Sequence, residues 1–309
     1  MGLEDSIRIK NNLIRATIAE FVGTLLLVFV SHSVGVAYST VTMSTQGDPA
    51  AILMGATFGG GLSVFISLAA VINISGGHLN PAVTIGFAVT GQFSWVHVGP
   101  YLAAQYLAGF IAACLLYLTH YDLIEIVHEN YANDSALGHG KTAHIFASAP
   151  APHASNWGCF IQTFFGDTVL LIGIAAVVDV KNLGAPRWFY ALGIAVCLIV
   201  VSVAFSGNGG PSLNPAADFP CRVFAWIAGW GAVIWAPLNG HYWYLTGLIA
   251  PHLGAAFGLL FYKVLIGAHF PRDSSAASTS TAASSSSTQA TSSSAHHDMP
   301  VPKEAPAQP

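Results

Sequence analysis

The sequence predicts an all-α membrane protein with six transmembrane helices plus two re-entrant half-helices, arranged as two inverted repeats. Three observations carry this. Hydrophobic residues make up 53% of the 309 residues and charged residues 8%, about a third of the charge that soluble domains carry. Six apolar runs have the length of a bilayer span. The triplet Asn-Pro-Ala occurs twice, at Asn80-Pro81-Ala82 and Asn214-Pro215-Ala216, in equivalent places of the two halves.

Composition also excludes function classes. So little charge is incompatible with an ordinary soluble enzyme, and the ten Lys and Arg, scattered in a chain of net charge −4, form no polybasic surface for nucleic acid. Cys114, Cys159, Cys197 and Cys221 show no C-x-x-C spacing, so neither a disulfide framework nor a zinc site is expected. They are read as packing residues, and no metal or cofactor is expected.

A bilayer-spanning helix needs roughly 20 apolar residues because every backbone N–H and C=O must be paired within it. The six runs cover 13–37, 50–72, 96–118, 157–178, 188–206 and 243–266. The first follows Arg8, Lys10 and Arg15 with no small-residue cleavage site, and is read as a retained helix and not a signal peptide. An even number of spans puts both ends of the membrane region on one side. Lys181 and Arg187 lie in the fourth-to-fifth connection and Lys263 and Arg272 at the C-terminal end, whereas the alternate connections hold little beyond Lys141 and Arg222. The positive-inside rule then makes both termini cytoplasmic, and the plasma membrane is the expected location.

With that orientation the 120–155 connection lies outside, where Asn133-Asp134-Ser135 forms a glycosylation acceptor. Residues 269–309 are rich in Ser, Thr, Ala and Pro, a composition that cannot bury enough surface to offset its ordering entropy, and are expected to form a disordered cytoplasmic tail. Residues 1–11 are a short cytoplasmic segment, leaving 12–268 as the membrane domain. Met1-Gly2 with Ser6 matches an N-myristoylation pattern, but Glu4, Asp5 and the adjoining spans mark the match as accidental.

Each half contains three spans, with Asn-Pro-Ala after the second. Three is odd, so the second half enters the membrane upside down relative to the first. Each triplet leads into an apolar stretch too short to cross, 83–89 and 219–228. Asn is a strong N-cap, and Pro suits a first helical turn because its missing N–H has no partner to lose. Half-helices starting at Asn80 and Asn214 follow. Re-entrant backbone survives at that depth only when buried or lining a wet cavity, so the two segments are expected to meet at the centre of a pore.

The doubled Asn-Pro-Ala, the run Ala19-Glu20-Phe21-Val22-Gly23-Thr24, Gln105 in the third span and six spans in inverted halves resemble the major intrinsic proteins, the aquaporins and glycerol facilitators. The resemblance covers about residues 12–268. Asp218-Phe219 and Val223 through Gly231 are similar to the aquaglyceroporin branch. The resemblance implies a passive channel for glycerol and other small uncharged solutes, with water, assembled as a homotetramer with one pore per subunit. The physics agrees, because two helix N-termini facing each other place roughly half a positive charge each near the axis, which repels cations and protons but not neutral solutes. No covalent bond changes, so no enzyme activity is expected. A secondary transporter, which also uses inverted repeats and broken helices, and a non-conducting scaffold or adhesion protein remain the competing readings.

The same resemblance assigns single residues. Asn80, Pro81, Ala82, Asn214, Pro215 and Ala216 would form the pore centre, and Glu20, His78 and Asp218 its support, with Glu20 holding the first re-entrant loop through backbone N–H groups. In the second half Thr163 falls near the position of a second such glutamate, and Asp167 is a candidate substitute one turn on. Gly55, Gly59, Gly61, Gly254, Ala255 and Gly258 are read as helix-packing positions. The family's arginine after the second triplet is replaced by Ala217. Counting back from Asn80 and Asn214 puts Gly60, Ser202 and Pro211 at the other three filter positions. All four are small or compact, so a wide filter is expected, one that admits urea and larger polyols. Arg222 matches a later family arginine and is expected on the outer surface.

Overall fold

The computed structural model describes residues 2, 6–45, 48–132 and 142–271. The glycosylation triplet at Asn133 and the tail from residue 272 onward lie outside the described residues. Among the described residues six helices are long and apolar enough to cross a membrane: Asn12–Tyr38, Leu53–Ser75, Trp95–Thr119, Asn156–Val178, Arg187–Ala204 and Tyr242–His269. Each agrees with a run read from the sequence to within a few residues at its ends. Among the described residues no strand forms; one isolated bridge joins Pro150 to Gly209.

The helices are α1 (Asn12–Thr45), α2 (Pro49–Ser75), the half-helix α3 (Pro81–Val89), α4 (Trp95–Thr119) and α5 (Tyr121–Ala132). The second half supplies α6 (Asn156–Val178), α7 (Arg187–Ala204), the half-helix α8 (Pro215–Ala225) and α9 (Ala250–Leu265). Local chemistry sets the ends. Asn11 Oδ1 accepts from the Leu13 and Ile14 amides at 2.9 and 3.1 Å, and Ser155 Oγ from Gly158 N at 3.0 Å. Asp48 caps α2, with Pro49 in its first turn, and Gly76 ends it at φ 89°. Each half-helix begins at its proline, directly after the capping asparagine. α8 passes at Trp226 into a wider π turn, and the backbone leaves the helical conformation at Gly229 and Gly231, with φ 120° and 63°.

The packing is reciprocal between the halves. α1 lies on α2 and α4, and α6 on α7 and α9, while α2 and α7 join the halves. α3 packs chiefly against α9, and α8 against α4, so each half-helix rests on the third span of the other half. Lys263 Nζ donates to the Thr90 carbonyl at 2.7 Å, and Tyr262 Oη to Asp179 Oδ2 at 3.2 Å. The ends of α3, α6 and α9 therefore share one face, which we call inner; residues 142–155, 205–210 and 226–241 lie toward the opposite one, which we call outer.

The solvent pattern of a soluble domain is reversed. Glu20, Gln105, Asp167, Asp218 and Arg222 are buried, while Leu118, Trp157, Trp188 and Val96 are exposed. Lipid accommodates the exposed apolar side chains, and the buried polar ones need partners inside the bundle. Among the described residues the four cysteines are free thiols. Helices approach closely at glycines, as expected in a bilayer where packing replaces the hydrophobic drive. A Cβ at Gly59 would meet Val34, at Gly61 Ile199, at Gly254 the Phe164 carbonyl and at Gly258 the Thr168 backbone. At Gly60 it would meet nothing within 4 Å.

Gly258→Ala is accordingly expected to destabilise the protein by about 1–3 kcal/mol, the usual cost of overpacking, while Gly60→Ala leaves the unfolding midpoint unchanged. Thermal unfolding of both variants in one detergent measures this; equal midpoints would show that the α6–α9 approach is not limited at Gly258.

Candidate functional site

The two triplets meet. Asn80 caps α3 with Oδ1 accepting from Ala82 N at 2.8 Å, and Asn214 caps α8 with Oδ1 accepting from Ala216 N at 3.0 Å. Each amide nitrogen then reaches across the midline: Asn80 Nδ2 donates to the Leu213 carbonyl at 2.8 Å, and Asn214 Nδ2 to the Leu79 carbonyl at 2.9 Å. Pro81 and Pro215 open the two half-helices, and Ala82 and Ala216 have no exposed surface. A side-chain amide has two N–H groups, so each asparagine retains one to offer to a passing oxygen.

A cavity of about 260 Å³ opens toward the inner face and one of about 350 Å³ toward the outer. Both reach Leu27, Leu198, Leu213 and Asn214, so they approach each other at a waist formed by the asparagine pair, Asn214 bordering both and Asn80 the inner one. The inner wall is mostly apolar, with Leu68, Val83, Ile174 and Ile194 among the residues lining it. Gly60, Ser202, Pro211 and Ala217 all line the outer cavity, together with His32, Ser31 and Asp218.

The first loop requires support because Gly76, Gly77 and the non-glycine Leu79 all hold positive φ, at 89°, 68° and 52°. Glu20 supplies it. Its Oε1 accepts from His78 N at 2.9 Å and its Oε2 from Leu79 N at 2.7 Å. Gln105 Nε2 bridges Glu20 Oε2 at 2.8 Å to Thr84 Oγ1 at 3.0 Å, tying the loop to α4 and α3. His78 lines the inner cavity; its Nδ1 lies 3.2 Å from Thr84 Oγ1, and its ring packs among Phe87, Phe93 and Tyr101.

The second loop is held differently from the expectation. Thr163 and Asp167 are buried, but their side-chain oxygens have no hydrogen-bond partner among the described residues. Gln162, one position earlier, does the work: Oε1 accepts from Asn208 N at 2.7 Å, and Nε2 donates to the Gly209 carbonyl at 2.9 Å. Sequence reasoning missed it because an uncharged amide at a helix position carries no mark of burial. Its offset from Thr163 by one residue, along the 100° helical rotation, was the available signal.

Arg222 is a second correction. It is not on the outer surface but 1% exposed. Its Nε lies 2.5 Å from Asp218 Oδ1, Nη1 donates to the Ile234 carbonyl at 2.8 Å, Nη2 to the Ser148 carbonyl at 2.5 Å, and Tyr242 covers the guanidinium at 5.7 Å. Ser148 N donates to Asp218 Oδ2 at 3.0 Å, and the Ser148 hydroxyl bonds to the same oxygen. The i, i+4 spacing on α8 makes the ion pair, and the outer segment following Ile145 closes over it. Asp218 thus anchors the outer rim, and Arg222 is committed to that anchor.

Two half-helices meeting at their N-termini between an inner and an outer cavity of a six-span bundle define a membrane channel protein. The profile of the family described as Major intrinsic protein matches residues 8–262. The chain is 34% identical over 273 residues to Aquaporin-3 of Milnesium tardigradum, covering 88% of this chain and 83% of that one. It is 31% identical to human Aquaporin-9, covering 88% and 89%. The solved aquaglyceroporin from Plasmodium falciparum superposes with a TM-score of 0.69 at 25% identity, over 83% of this chain and 98% of that one. The chain belongs to the major intrinsic protein family, whose aquaporins are multi-pass membrane channels.

Removing the Glu20 carboxylate orphans buried donors, each worth about 1–3 kcal/mol. Glu20→Ala is expected to unfold well below wild type, Glu20→Gln to fall between them because one amide oxygen still accepts, and solute preference to survive in Glu20→Gln. Thermal unfolding with a solute panel measures both; equal stability with altered solute choice would place Glu20 on the pore wall instead.

Proposed function

We propose that this chain is a passive membrane channel conducting glycerol, other small uncharged solutes and water while holding back ions and protons. The observation that carries the reading is the reciprocal asparagine pair where the two half-helix N-termini meet, with Asn80 bordering the inner cavity and Asn214 both. The two positive helix ends oppose cations at the waist. The free amide N–H groups replace the hydrogen bonds that a hydroxyl solute sheds, and the apolar inner wall accepts its carbon face. The names of the relatives, aquaporins and an aquaglyceroporin, accord with this.

Further parts of the proposal rest on single arguments. Asn80, Pro81, Ala82, Asn214, Pro215 and Ala216 form the pore centre, and Gly60, Ser202, Pro211 and Ala217 the outer selectivity filter; all four of the latter border one cavity. Urea and larger polyols pass with glycerol because none of the four is bulky. Residues 12–268 are the channel domain between a cytoplasmic 1–11 segment and a 269–309 tail, in a homotetramer of the plasma membrane. Lys181, Arg187 and Lys263 near the inner face support cytoplasmic termini.

A coupled transporter needs an ionisable site for its coupling ion on the solute path. Glu20 and Asp167, the obvious carboxylates, border neither cavity, and Asp218 is paired with Arg222. Glycerol flux in vesicles is expected to rise linearly with concentration, without ion current; saturation with a response to an ion gradient would establish a transporter, and silence of folded protein a scaffold.

Ala217→Arg would add bulk and a fixed charge to the outer cavity. It is expected to slow sorbitol most, glycerol less and water least, measured by stopped-flow at equal protein content. Uniform slowing of all three would show that the wild-type mouth is narrow.

A further inference from the structure

The notable residue at the outer mouth is one that no motif marks. His32 is a polar side chain inside the apolar run of α1, and it borders the outer cavity beside Gly60, Ser202, Pro211 and Ala217. Its Nδ1 lies 2.9 Å from the Val28 carbonyl oxygen and its Nε2 3.2 Å from that of Phe146, and the Ser31 hydroxyl, which donates to the same Val28 carbonyl, lies 3.5 Å from Nδ1. A carbonyl oxygen only accepts. A neutral imidazole carries one N–H and cannot donate to both sides; the imidazolium carries two and can.

We propose that His32 is a specificity-determining residue of the channel, a proton-dependent positive charge at the outer mouth that stands where position 217 supplies none and excludes cations. The charged groups facing it do not cancel that charge. Asp218 acts on the ring electrostatically, but its two oxygens are taken by Arg222 and Ser148, and the pair is close to neutral. His144, on the segment that also carries Phe146, borders a separate cavity with Arg222. The cavity walls contributed by α2 and α7 carry uncharged residues, among them Thr57, Gly60, Leu198 and Ser202. A cation on the imidazole borders a cavity lined by apolar and uncharged polar side chains besides the neutralised Asp218, where Coulomb forces are screened less than in bulk water. Neutral solutes feel little of it. Protons reach the ring from the open outer cavity, so the charge follows external pH.

The inference rests on the channel reading, and the experiment separates the two. Guanidinium and urea are planar and nearly equal in size but differ in charge, so their permeability ratio reads charge selection alone. Purified full-length protein in vesicles is given tracer guanidinium or urea at about pH 4 and about pH 8, far enough apart to span the protonation of the ring. Protonated His32 excludes the cation, so the guanidinium-to-urea ratio is expected to be low at the acid pH and to rise about tenfold at the alkaline one. The waist barrier acts in every variant, so the ratio is read relative to wild type: in His32→Gln it stays at the wild-type alkaline value at both, and in His32→Lys at the wild-type acid value at both. A wild-type ratio that does not change with pH, or a His32→Gln profile identical to wild type, overturns the inference while urea flux upholds the channel. Absence of urea flux in the wild type overturns both. Should His32→Gln fail to conduct urea, the wild-type profile together with His32→Lys decides the matter.

Discussion

Everything in this molecule depends on pairing the backbone where the chain turns back at the middle of a membrane. A half-helix exposes its first N–H groups, and the loop leading to it exposes carbonyls, at a depth where lipid offers neither donors nor acceptors. Asn80 and Asn214 solve both halves of the problem for each other. Each caps its own helix through its oxygen and satisfies the opposite loop through its nitrogen. Neither loop is complete without the other, which is why the halves must be inverted and why the chain needs two copies of the triplet.

The two halves obey one symmetry but fix their loops with different chemistry. Glu20 grips the first loop with a carboxylate that accepts two backbone donors and one side-chain amide. Gln162 grips the second with an amide that accepts one donor and donates to one carbonyl. The difference follows the loops: the first presents adjacent N–H groups at His78 and Leu79, the second an N–H at Asn208 and a carbonyl at Gly209. An amide matches the mixed pair without placing a charge in the membrane, where an ionised group is costly.

Charge at the outer mouth is arranged in the same economical way. Arg222, the cation nearest the second triplet, is withdrawn behind Asp218, Ser148 and Ile234 and stabilises the rim instead of meeting solute. A buried ion pair broken on one side costs several kcal/mol, roughly 3–5, so Arg222 is held in place. With Ala217 at the neighbouring lumen position, His32 is the basic side chain bordering the outer cavity among the described residues. The rim, the filter and the first span are thus joined through Ser148, Phe146 and the imidazole.

The sequence by itself determined the class, the span number, the inversion and the centre of the pore. These depend on local rules, the length of an apolar run, the parity of three spans and the capping chemistry of Asn-Pro, that operate wherever the residues occur. The doubled triplet also made Glu20 legible, because a carboxylate within a span demands a partner. Tertiary structure alone decided which polar residue holds the second loop, that Arg222 is buried, and that His32 borders the mouth. Gln162 and Thr163 differ by one helical step, and only the packing of α6 on its neighbours shows which of them reaches the loop at 207–209. Arg222 looked like a rim residue because its burial is created by Ser148 and Ile234, 74 and 12 positions away in the chain. His32 gained its setting from a carbonyl 114 residues distant. Local pattern fixes how a segment is built, but a polar side chain takes its role from partners that the folded chain alone brings within hydrogen-bonding distance.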